Sequence, residues 1–183
     1  MNPHRRNLLG SLYLAAFILG AVGPHGAALA KDRKPPRIEC DVSIPCPAEE
    51  AWTAWTTKEG LESFLARSAR VTPEVGGAFA LDLAGSSPVE LDARSPRILG
   101  MDVPRSLSFE WIIPLPKAAA RDSMTVVTIR IEQVSPQRCR VHLEHSGWAV
   151  GEEATEAFAY SQQSWRLVLR SLRSALIARG RGR

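Results

Sequence analysis

The chain has 183 residues, 45% of them apolar, which is enough for one hydrophobic core and too little for two. Its net charge of +4 sets 23 basic residues against 19 acidic ones, and without the first thirty residues the balance is 21 against 19. So mild an excess excludes partners recruited by bulk charge, and no nucleic-acid partner is expected.

Residues 1–30 carry a basic start ending at Arg5-Arg6, an apolar run over 8–22 and a small-residue end at Ala28-Leu29-Ala30. This is the layout of a signal peptide, with cleavage expected after Ala30 and a periplasmic or secreted product. The apolar run is shorter than the roughly 20 residues a spanning helix needs, and Gly10 and Gly20 interrupt it. No stable membrane insertion is therefore expected once the signal is removed, and an uncleaved N-terminal anchor is the alternative. Arg5-Arg6 followed by Asn7-Leu8-Leu9 also resembles a twin-arginine export signal, which carries folded proteins. Residues 31–37 are charged and proline-bearing and read as a linker, so the domain is expected over 38–178.

Ile38, Cys40, Val42 and Ile44 alternate with polar residues, the period of a strand with one buried face. Pro45 ends it, and Pro47 suits the first turn of a short helix over 48–55 that turns Ala51, Trp52 and Trp55 to one side. Thr56 and Glu59 have capping-box spacing, predicting a second short helix with Leu61, Phe64 and Leu65 inward. The period then returns to two. Ala69 and Val71 face Phe79 and Leu81 across Pro73 and Gly76-Gly77, a hairpin. Residues 84–96 read as a surface loop in which Val89 and Leu91 suit a short edge strand.

Leu99 and Met101, a turn at Pro104, and Leu107, Phe109 and Trp111 predict another antiparallel pair. After a proline- and alanine-bearing connection, Val127, Ile129 and Ile131 alternate, Ser135-Pro136-Gln137 turns the chain, and Cys139, Val141, Leu143 and His145 share one face. From about 152 to 178, Phe158, Trp165, Val168, Leu169, Leu172 and Leu176 recur at helical spacing, with acidic residues early and arginines late, as the helix dipole favours. The order implies an α+β domain whose antiparallel sheet curls around one long C-terminal helix, with two short helices after the first strand. Residues 179–183 read as a basic tail.

The mature part keeps three cysteines, Cys40, Cys46 and Cys139, and two histidines, His142 and His145. No pair has metal-ligand spacing, so neither a metal nor a cofactor is expected. An odd cysteine count leaves at least one thiol free or paired between chains.

Several segments taken together resemble the SRPBCC (START-like, Bet v-type) superfamily, and within it the bacterial proteins similar to the activator of heat-shock-protein-90 ATPase. They are Ile44-Pro45-Cys46-Pro47-Ala48-Glu49-Glu50-Ala51-Trp52, Pro73-Glu74-Val75-Gly76-Gly77, Ile98-Leu99 leading to Val103-Pro104-Arg105-Ser106-Leu107, Leu143-Glu144-His145-Ser146-Gly147-Trp148, and residues 165–172. The resemblance implies the helix-grip fold. It also makes the first and last strands antiparallel neighbours, which brings Cys46 near Cys139 and makes them the candidate disulfide, with Cys40 left as a small buried hydrophobe.

A sheet curled over a helix leaves apolar space that side chains do not always fill, and a small hydrophobic molecule is the expected partner. The cavity candidates are Phe79, Leu99, Phe109, Trp111, Ile129, His145, Phe158, Trp165 and Leu169. Each has a bland counterpart as ordinary core, and for His145 that counterpart is a histidine satisfied by the backbone. Strand parity turns His145 inward and Glu144 outward, so the two do not form an acid–base pair in the pocket. No paired-carboxylate or nucleophile motif occurs, and no residue is assigned a catalytic role. Noncatalytic ligand binding is the leading reading. A cyclase- or hydrolase-like enzyme and a protein-interaction module are the alternatives.

Overall fold

The computed structural model describes residues 36–83, 95–113, 124–149 and 152–182. Residues 1–30, most of the linker and the Val89–Leu91 stretch lie outside them.

Strand β1 (Ile38–Ile44) buries Ile38 and Ile44, as the alternation requires. Pro47 stands just before helix α1 (Ala48–Thr56), in extended backbone, and is its N-cap rather than a residue of its first turn. Its ring cannot cap with a side chain, and the Ala48 N–H is satisfied instead by Gln133 Oε1 at 2.6 Å, a residue far along the chain. Ala51, Ala54 and Trp55 form the buried face. Helix α2 (Lys58–Glu62) is capped by Thr57, whose hydroxyl accepts from Gly60 N–H at 3.1 Å. The capping residue thus lies one position beyond the expected Thr56. Thr56 still belongs to α1, where it is buried and donates to Trp52 O at 2.8 Å, so its hydroxyl is already engaged.

Strands β2 (Ser68–Val71) and β3 (Phe79–Asp82) pair as the expected hairpin and form a two-stranded sheet. Strands β4 (Ile98–Asp102), β5 (Ser106–Ile112), β6 (Met124–Ser135) and β7 (Arg138–Ser146) join β1 in a five-stranded antiparallel sheet of order β1-β7-β6-β5-β4. The hairpin and the sheet meet where Phe79 N–H donates to Pro96 O and Ile98 N–H to Gly77 O, each at 2.8 Å. In β7, Cys139, Val141, Leu143 and His145 are all fully buried, while Glu144 points outward to Arg130 at 3.3 Å and Arg37 at 3.6 Å.

Helix α3 (Glu152–Arg181) is 30 residues long and continues past the expected end, so Arg179 and Arg181 belong to it rather than to a tail. Arg179 donates to Glu59 O at 3.1 Å, which gives the last turn a partner on α2. Its buried stripe is Ala157, Ser161, Trp165, Leu169, Leu172 and Leu176, at spacings of three and four. Trp165 packs on Trp111 of β5, with ring centroids 4.7 Å apart, and edge-on to His145 of β7 at 5.9 Å. The helix therefore lies against the buried face of the sheet, and the α+β helix-grip architecture read from the sequence is the one present. Among the described residues, no helix is long and apolar enough to cross a membrane.

Candidate functional site

Most of the aromatic candidates close on one another. Phe79 of β3 stacks on Phe109 of β5 with centroids 3.9 Å apart, and both are fully buried with Ile129 and Leu169. Burying such rings with offset or edge contacts is the ordinary way an α+β core is filled. Phe158 is half-buried and sits against Trp148 at 5.1 Å. Leu99 is a correction: it is 46% exposed, and Ile98 beside it takes the inward position. The β4–β5 register shifts between Ile98 and Gly100, and one irregular residue in a strand exchanges its two faces.

Space is left at one side of this core. A cleft of about 150 Å³ lies against α3, where Tyr160, Ser161, Ser164, Trp165 and Val168 form its helical wall. Trp111 of β5, Leu65 beyond α2 and Leu83 beyond β3 complete it. Of the sequence candidates, Trp111 and Trp165 reach this cleft, while Phe79, Phe109, Ile129, His145, Phe158 and Leu169 do not line it. On α3 the small residue Ser161 stands one turn before Trp165 at the cleft wall, and both are buried. Sequence reasoning passed over Ser161 and Ser164. The signal was present as two serines set between Phe158 and Trp165 at helical spacing.

The lining is apolar apart from hydroxyls and the indole nitrogens, and it contains no Asp, Glu, His, Lys or Arg side chain. Ser164 Oγ donates to Tyr160 O at 2.9 Å, in the manner of helical serines that satisfy themselves on the preceding turn. Ser161 is only 3% exposed.

His145 lies behind the Trp165 wall, and its hydrogen bonds fix its tautomer. Thr125 spends its proton on Trp111 O at 3.0 Å, so Thr125 Oγ1 accepts from His145 Nε2–H at 2.7 Å. The Trp165 indole N–H donates to His145 Nδ1 at 2.9 Å. Both ring nitrogens are thus engaged in a neutral, fully buried imidazole, whose pKa burial pushes down to about 3. The ring does not line the cleft, and both its nitrogens face protein partners. It holds the Trp165 indole in place. Among the described residues, no three His, Cys, Asp or Glu side chains converge as a metal ion needs.

Fold and cleft together define a helix-grip domain with a small side cavity. Residues 45–176 match the family described as activator of Hsp90 ATPase homolog 1-like protein, and the chain belongs to that family. Among solved structures it is similar to protein MLL2253 from Mesorhizobium loti, at 22% identity and TM-score 0.64, over 78% of this chain and 98% of that one. It is also similar to the Aha1 dimer from Colwellia psychrerythraea, at 19% identity and TM-score 0.59, over 77% and 96% of the two chains. The di-domain ARO/CYC protein BexL of the BE-7585A biosynthetic pathway aligns at 17% identity and TM-score 0.61, over 77% of this chain and 46% of that one. Identities this low establish a shared fold. No curated protein matches the chain.

Proposed function

We propose that this is an exported domain that binds a small, uncharged hydrophobic molecule in the cleft beside α3, without transforming it. The observation that carries this reading is the cleft itself, an apolar recess with an indole wall and hydroxyls at one side. Its size bounds the ligand. A dry cavity of about 150 Å³ holds a benzene-sized molecule, and sites for drug-sized ligands begin near 300 Å³. At about 150 Å³ the cleft suits one ring or a short branched chain. The noncatalytic part is supported by His145, whose two nitrogens are already committed to Thr125 and Trp165. Export rests on the layout of residues 1–30, and it would part the domain from a cytosolic chaperone.

Native mass spectrometry of the protein purified from its own host tests the binding. A co-purified small molecule is expected, and Val168→Trp or Ser164→Leu, which fill the cleft, are expected to release it while thermal stability is kept. A ligand retained by both filled variants would place binding elsewhere. An empty wild-type protein that also shows no NMR shifts at cleft residues with toluene or indole ends the reading.

A further inference from the structure

Cys46 and Cys139 are 93 positions apart in sequence, yet their sulfurs lie 3.8 Å from one another. The sheet register explains the meeting. Ile44 pairs with Cys139 across β1 and β7, and Cys46 folds back two residues later through its own N–H to Ile44 O at 2.9 Å. Proline on each side of Cys46 restricts its backbone, and β7 is paired on both edges, so neither sulfur sits on a loose segment. The two side chains are 4% and 0% exposed, and one of the two thiols donates a hydrogen bond to the other. That bond, then burial, holds the Cys46 thiol far above its ordinary pKa, while Cys139 is favoured as the thiolate by the same bond. Cys40, the third thiol, is half-buried, and burial pushes it up to about 11.

We propose that Cys46 and Cys139 form a two-electron redox site that closes to an internal disulfide, stapling the start of α1 to β7. Bond formation asks the sulfurs, now 3.8 Å apart, to approach by roughly 2 Å. The oxidant is a small disulfide such as oxidised glutathione, which reaches the buried pair through local opening at Cys46, the more exposed of the two. A thiolate of the pair attacks one of its sulfurs and expels a thiolate, giving a mixed disulfide. The second protein thiol loses its proton and attacks the protein sulfur of that mixed disulfide, expelling the other half of the oxidant. The protein loses two hydrogens as protons and two electrons, and the oxidant leaves as two thiols. This site is separate from the cleft and independent of the ligand reading.

The test incubates the native, fully reduced protein with oxidised glutathione until the thiol count is constant, then blocks and denatures it. One titratable thiol is expected in place of three, with a mass lower by two hydrogens and a Cys46–Cys139 linked peptide. Cys40→Ser is expected to reach no free thiol. Cys46→Ser is expected to show no internal link and no redox-dependent shift in melting temperature. Three thiols at equilibrium, a glutathione adduct that persists on Cys46 or Cys139, or a link through Cys40 each overturn the proposal. Because the thiol count and peptide map are read on the wild-type chain, they decide the matter even if a variant folds poorly.

Discussion

His145 makes stability depend on pH in a way that can be worked from its surroundings. Folded, the imidazole is buried and neutral, with a pKa of about 3 against an ordinary value of 6.5. A second proton would have to sit on Nδ1, where the Trp165 N–H already points. Above pH 6.5 the folded and unfolded chains both carry a neutral ring, and His145 adds no pH dependence. Below it the unfolded chain takes up a proton that the folded chain refuses, so stability falls with pH and goes on falling until about pH 3. The slope approaches about 1.4 kcal/mol per pH unit, and between about pH 7.5 and pH 5 the loss is about 2 kcal/mol. His145→Gln keeps a donor for Thr125 and an acceptor for Trp165 and has no proton to gain. Urea unfolding of both proteins at the two pH values gives the double difference. A loss about 2 kcal/mol larger in the wild type is expected, and equal losses in the two proteins would refute the buried neutral ring.

The remaining expectations concern packing, backbone and the cysteine pair. Leu172 is fully buried on α3, and Leu172→Ala should cost about 2–5 kcal/mol, read as a lower denaturation midpoint with an unchanged slope. A Cβ on Gly77 would lie 2.2 Å from Thr72 O, so Gly77→Ala should force the β2–β3 turn apart and speed amide exchange in that hairpin. Gly76→Ala meets no neighbouring atom but must hold φ +83°, and its effect should stay near 1 kcal/mol by thermal denaturation. Closing a loop of 93 positions with a disulfide should stabilise the oxidised domain by about 4–5 kcal/mol on chain entropy. That corresponds to a melting temperature roughly 10–15 °C above the reduced form, by scanning calorimetry.

The alternation of Cys139, Val141, Leu143 and His145, and the three-and-four spacing of Trp165, Leu169, Leu172 and Leu176, were legible because each records a local period meeting a single apolar face. From them followed the strands, the long helix, the α+β class and the inward turn of His145. Leu99 was misplaced because a register shift at Ile98/Gly100 belongs to the pairing of two strands, and no one-strand pattern contains it. The tautomer of His145 was likewise out of reach, since Thr125 and Trp165 arrive from twenty residues away on either side. Helix α3 and β5 could be read separately, but a cleft lies between surfaces, and only their packing showed that Ser161, Ser164 and Trp165 of the helix surround a gap with Trp111, Leu65 and Leu83.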